Sequence, residues 1–167
     1  MAMSELTQTR LKELLRYDPE TGHFWWLRSG PGRKPGRPAG CVNAIGYVVI
    51  RVDDQLHLGH RLSWLYMTGG TPPEVDHADR NRANNSWENL REATRTLNNA
   101  NAKRRSDNTS GFKGVWHNKE RGTFQAFACA NGRRQYLGTY RTATEAHEAY
   151  KSASAALHGE FAHGGQT

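Results

Sequence analysis

Cysteine is nearly absent: Cys41 and Cys129 are the only two in 167 residues. The two are widely separated but could pair, and without a Cys-x-x-Cys pair no structural zinc ribbon is indicated. The default reading is two free thiols in a reducing compartment. Long apolar runs are missing as well. No stretch approaches the roughly 20 residues that a membrane helix needs, and residues 1–10 are polar, without an apolar signal core. A cytoplasmic location is therefore expected, with no membrane partner. Acidic residues are scarce: 16 Asp and Glu stand against 23 Lys and Arg, a formal net charge of +7. That excess favours a polyanionic partner, although ribosomal proteins, basic enzymes and membrane-surface proteins share it. The length suits one ordinary domain or two small ones, each burying little surface.

Local patterning supplies the elements. Leu6, Leu11, Leu14 and Leu15 predict a short amphipathic helix. Tyr17-Asp18-Pro19-Glu20-Thr21-Gly22 reads as a tight turn, and residues 23–27 as a strand. Residues 28–40 are rich in Gly and Pro, carry Arg28, Arg33, Lys34 and Arg37, and contain no acid. They form a loop, either a solvated linker or a phosphate-contacting arm. Residues 46–52 and 55–58 read as two strands joined at Asp53-Asp54. A helix over 60–67 ends at Gly69-Gly70. Residues 74–77 enter a polar loop that runs to Trp87, and residue 88 onward leads into a helical stretch ending near Lys103.

The polar stretch 104–111 divides the chain into a domain over 1–103 and a second over 104–167. In the second, strands are expected over 112–116, 123–130 and 133–140, with Asn131-Gly132 as a hairpin turn. Thr142-Ala143-Thr144-Glu145 fits a capping box. Behind it Ala146, Ala149, Tyr150, Ala153, Ala156 and Leu157 trace one apolar helical stripe. This predicts a three-stranded antiparallel sheet packed on one helix, and an α+β class for the whole chain.

The chemistry concentrates between Val75 and Lys103. His77 can act as a general base near neutral pH, and Asp76 beside it can hold a hard cation through oxygen. Asn98 and Asn101 are three apart and would share a helix face, so either could add a carbonyl oxygen. An Asp-His pair within a polar loop is by itself ordinary. Asp76-His77, Asn89-Leu90-Arg91 and Asn98 together, however, resemble the HNH motif of phage and intron-encoded homing endonucleases. Gly46-Tyr47-Val48-Val49, Leu58-Gly59-His60-Arg61-Leu62-Ser63-Trp64 and residues 14–22 are similar to segments that precede that motif.

The resemblance covers about residues 5–103 and implies a ββα-metal core in a metal-dependent DNA endonuclease or nickase. By carry-over, His77 is the general base, Asn89 braces the loop that orients it, and Asp76 and Asn98 hold one divalent metal, Mg²⁺ first and Mn²⁺ second. It also implies a phage or other mobile element acting in a host cytoplasm. His60 is read first as a packed or capping residue and second as a phosphate contact.

Between 103 and 141 nine basic residues face only Asp107 and Glu120, a surplus equal to that of the whole chain. Such concentration is a stronger nucleic-acid signal than the total. Alternation turns Phe124, Ala126 and Ala128 toward the helix, and Gln125, Phe127 and Cys129 outward with Arg134 and Tyr136. Ser110-Gly111-Phe112-Lys113-Gly114-Val115, Tyr136-Leu137-Gly138-Thr139-Tyr140 and residues 145–150 and 157–162 resemble the plant ethylene-response-factor DNA-binding domain. That resemblance implies duplex contact through Lys113, Trp116, Gln125, Phe127, Arg134 and Tyr136. Trp116 and Cys129 stand where plant members often have arginine, so plant target sequences do not transfer. Lys119, Arg121 and Arg133, with Arg33, Lys34 and Arg37 from the first loop, complete the expected double-stranded DNA contacts. The oligomeric state is left open, a monomer included. The competing readings are a non-catalytic DNA-binding regulator with a decayed nuclease core and, third, an RNA-binding protein.

Overall fold

The computed structural model describes residues 5–130 and 132–163. Its packing separates two units, Met1–Glu92 and Ala93–Thr167.

In the first unit the leading leucines make only two helical turns. Helix α1 (Gln8–Leu14) starts at Thr7, whose side chain accepts from the Arg10 amide, and stops at Leu15, which is extended. The expected helix thus ends one residue early. Strand β1 (Leu15–Tyr17) takes over because alternation lets both Leu15 and Tyr17 enter the core. It pairs antiparallel with β2 (Phe24–Trp26), Leu15 opposite Trp26 and Tyr17 opposite Phe24. The turn between them closes on Asp18, whose carboxylate accepts from the Glu20 and Thr21 amides.

A short strand not foreseen in the sequence, β3 (Cys41–Val42), pairs with β4 (Val48–Val52), which pairs with β5 (Gln55–Leu58). Asp53 and Asp54 form the β4–β5 turn with φ of 46° and 64°, the left-handed pair that a tight hairpin requires. Helix α2 (Gly59–Thr68) ends on left-handed Gly69. Its Leu62 and Leu65 join Leu11, Leu15, Phe24, Trp26, Ile50 and Val52 in one core.

The segment that enters the polar loop is strand β6 (Glu74–His77), but one expectation fails beyond it: the stretch after Glu88 is not continuous helix. A 3₁₀ turn (Trp87–Asn89) leads into strand β7 (Leu90–Ala93), which pairs with β6. Extended backbone there buries both Leu90 and Ala93, which outweighs weak helical periodicity. Helix α3 (Arg95–Asn101) follows, capped by Thr94.

In the second unit β8 (Val115–Asn118), β9 (Thr123–Ala130) and β10 (Arg133–Tyr140) form an antiparallel sheet in the order β10-β9-β8. The first strand begins three residues later than its sequence suggests, because Gly111 and Gly114 sit at φ of 81° and 75°. Of the predicted Asn131-Gly132 turn, Gly132 has φ of 73° and Asn131 lies outside the described residues. Helix α4 (Ala143–His158) opens on the full Thr142–Glu145 capping box. Its buried face is Ala146, His147, Tyr150 and Ser154. Ala156 and Leu157, assigned to the stripe from sequence, are exposed. Among the described residues no helix is long and apolar enough to cross a membrane. Cys41 and Cys129 are free thiols.

Candidate active site and nucleic-acid face

Strand β6 presents the candidate chemistry from a buried position: Asp76 and His77 are each 5% exposed. Such groups persist in an interior only with partners. Asp76 Oδ2 accepts from Arg91 Nε at 2.9 Å and Nη2 at 2.8 Å, the arginine coming from β7, the pairing partner of β6. The carboxylate is therefore held in one orientation by a forked donor.

His77 Nε2 lies 3.1 Å from Asn85 Oδ1. An amide oxygen only accepts, so Nε2 carries the proton and the lone pair of neutral His77 is on Nδ1. Burial pushes the His77 pKa down, against the upward pull of the Asn85 bond and of Asp79 and Asp76. The ring is accordingly neutral at neutral pH, the state a general base requires.

The ring also has aromatic walls. His60 stands edge-on to it with centroids 5.0 Å apart, and Tyr47 lies 5.2 Å from His60 and 6.1 Å from His77. His60 is buried on α2, and burial, with His77 and Arg61 nearby, drives its pKa to about 3. Among the described residues its Nδ1 has no hydrogen-bond partner. The packed reading of His60 thus describes its place, and what it packs against is the candidate base.

Residues 78–89 are ordered by their own polar side chains. Asn89 Oδ1 accepts from the Asp79 amide, while its Nδ2 donates to Asp79 Oδ1 and to the Asn84 carbonyl. Asp79 also accepts from the Asn81 amide and Asn84 Nδ2. Burial works to raise the Asp79 pKa, but these donors prevail and hold it below the usual carboxylate range. Ala78 bonds through its amide to the Asn89 carbonyl.

Asn98, half-buried, and Asn101, buried, both lie on α3 in the second unit. Among the described residues no cluster of three His, Cys, Asp or Glu could hold a metal. Asp76, Asn98 and Asn101 are each oxygen donors, the type that a hard divalent cation takes in preference to zinc.

The basic loop is neither strand nor a free linker. It is laced back along β2: Trp26 N donates to the Arg37 carbonyl, Gly36 N to the Trp26 carbonyl and Ala39 N to the Phe24 carbonyl. Arg33 stacks on Trp26 at 4.6 Å, and Lys34 and Arg37 are exposed.

On the C-terminal sheet, register puts Trp116 opposite Gln125, Phe127 opposite Tyr136 and Cys129 opposite Arg134. Cross-strand partners share a face, so these six form one surface, with Ala126 and Ala128 buried on the other. Tyr136 is 55% and Trp116 49% exposed. The Arg134 guanidinium lies 3.5 Å from the Phe127 ring centre, an arrangement with cation–π character. Lys119 and Arg121 are exposed in the β8–β9 turn, and Arg133 is exposed on β10. Lys113 is placed differently: its amine donates to the Ala100 and Ala102 carbonyls, at the end of α3.

Asn85, Tyr17 and Asp79 were not picked out from sequence. Asn85 sits in a string of polar residues, and nothing in its spacing sets it apart.

A family model described as HNH endonuclease matches residues 57–100, which supports an HNH nuclease. No curated protein and no solved structure matches. The matched segment runs from β5 through α3 and contains Asp76, His77, Asn89 and Asn98, so over this span the chain resembles the HNH endonucleases.

Proposed function

We infer that the protein is a metal-dependent DNA endonuclease or nickase that hydrolyses phosphodiester bonds. The observation that carries this reading is the buried His77, with Nε2 3.1 Å from Asn85 Oδ1, beside a carboxylate aligned by Arg91. In the proposed mechanism the His77 lone pair takes a proton from water as it attacks phosphorus. Asn89 braces the 78–84 loop through Asp79 and so limits the freedom of the chain that follows His77. Asp76, with Asn98 or Asn101, would hold one divalent ion, Mg²⁺ or Mn²⁺. When bound, that ion supplies positive charge at the scissile phosphate and the departing 3′ oxygen.

Residues 1–103 form the nuclease in this reading and 104–167 the DNA-binding domain, similar to the ethylene-response-factor type. Trp116, Gln125, Phe127, Arg134 and Tyr136 meet duplex DNA on one sheet face, and Arg33, Lys34, Arg37, Lys119, Arg121 and Arg133 add phosphate contacts. Lys113 is a further proposed DNA contact, from an amine that also donates to the Ala100 and Ala102 carbonyls.

The test is conversion of supercoiled plasmid by wild type and His77→Ala, with Mg²⁺ and with a chelator. Metal-dependent cutting lost in His77→Ala, with DNA binding retained, supports the nuclease. Binding without cutting across metals and DNA sequences replaces it with the non-catalytic regulator.

A further inference from the structure

Asn85 is deeply buried beside His77, at 1% exposure, and the surrounding fold closes tightly on it. The Tyr17 hydroxyl, from β1, donates to its carbonyl at 2.7 Å. Trp87 N donates to the Pro19 carbonyl at 2.7 Å, tying the β1–β2 turn to the same loop. Gly22, at φ of 72°, lies so close that a Cβ there would overlap the Asn85 backbone. A Cβ on Gly59, the first residue of α2, would come within 2.7 Å of Asn85 Nδ2. Two glycines and a tyrosine from three elements thus leave Asn85 one position, with its Oδ1 on His77 Nε2.

We propose that Asn85 is the positioning residue that sets the His77 tautomer, and that the N-terminal hairpin acts in catalysis by clamping Asn85. This rests on the nuclease reading above. An oxygen acceptor on Nε2 stabilises the Nε2–H form and orients the Nδ1 lone pair toward the water to be activated. The physical logic is that of partners fixing the tautomer of metal-bound or catalytic histidines, whose loss costs 10- to 100-fold in the metal-bound case. Tyr17 and Gly22, distant in sequence from the motif, act through Asn85 and touch no reacting atom.

The test uses full-length protein carrying ¹⁵N-histidine. Long-range proton–nitrogen spectra distinguish protonated from unprotonated ring nitrogens, and His77→Gln identifies the His77 signals. Wild type should show protonated Nε2. Asn85→Leu, close in shape but without an acceptor, should populate both tautomers and lower kcat by roughly 10- to 100-fold at unchanged KM for plasmid DNA. Asn85→Asp, which keeps an oxygen acceptor, should retain the Nε2–H form, and Tyr17→Phe should give a smaller kcat loss in the same direction. If Asn85→Leu does not fold, Asn85→Ser, too short to reach the ring, takes its place. Wild-type His77 protonated on Nδ1, or a folded acceptor-free variant with unchanged tautomer or kcat, overturns the proposal. Wild-type protein that shows the expected tautomer but cuts no DNA overturns the nuclease reading instead.

Discussion

Asn89 and Asp79 satisfy each other reciprocally: the Asn89 carboxamide accepts from the Asp79 amide and donates to the Asp79 carboxylate, both at 3.0 Å. One side chain thus closes the loop between β6 and β7, and only a group with both a donor and an acceptor can do so. Asn89→Asp replaces the donor with a second carboxylate facing Asp79. It should destabilise the protein by about 1–3 kcal/mol at pH 7, more than Asn89→Ser does. Urea unfolding measures the difference. Equal stability of Asn89→Asp and wild type would show that the loop is held by something else.

The Arg91–Asp76 pair lies largely out of water, with side chains 18% and 6% exposed. Removing one member of a buried pair costs more than the pair contributed, because the remaining charge loses its counterpart. Arg91→Met should therefore lower stability by roughly 3 kcal/mol. Added Mg²⁺ should raise the melting temperature of this variant more than that of wild type, since a cation near Asp76 restores opposite charge. Calorimetry with Mg²⁺ and with chelator checks both, and an identical Mg²⁺ response in the two proteins contradicts a metal at Asp76.

His60 makes stability fall with acid well before the carboxylates titrate. Its pKa drops from 6.5 to about 3 on folding, chiefly through burial. Between those values the unfolded chain binds more protons than the folded one, so stability rises with pH across the window and is lost as pH falls from about 6.5 toward 3. The His77 pKa is lowered in the same direction. The urea midpoint should decline steadily from pH 7 to pH 4.5, and His60→Gln should flatten that decline. An unchanged slope in His60→Gln means that His60 is not the group being protonated.

Arg134 and Tyr136 should matter for DNA and little for folding. Both are exposed on β10, where surface changes stay within about 0.5 kcal/mol. Arg134→Ala should weaken duplex binding and reduce the salt slope by about one if the residue meets phosphate. Tyr136→Ala should weaken binding with little change in that slope. Fluorescence anisotropy over a salt series separates the two, and wild-type affinity in both variants would remove this sheet face from the interface.

Gly114 is a stability test of the second unit. It sits at φ of 75°, and a Cβ there would run into the Tyr150 ring. Gly114→Ala combines backbone strain with overpacking and should cost about 3 kcal/mol. A thermal melt with no loss would mean that the β8 entry turn can move away from α4.

Much of this molecule was legible from short stretches of chain. The Thr142–Glu145 capping box, the Asp53-Asp54 turn and the β9 and β10 strands lie where their residues indicate. Each depends on backbone preferences or hydrogen bonds within a few residues, and neighbours in sequence suffice to decide them. The Asp76-His77 motif and the inward and outward residues of β9 were readable for the same reason, one as a fixed local string and the other as a period of two. The β7 strand was not, because a four-residue segment has no periodicity strong enough to compete with helix until β6 is there to pair with it. Nor was the environment of His77. Asn85 meets Tyr17 across 68 positions of chain, and His60 reaches His77 from another element. Sequence alone determined which groups could do chemistry. Only tertiary packing decided which of them would be buried, neutral and aligned, because desolvation and hydrogen-bond geometry depend on residues that the chain brings together from a distance.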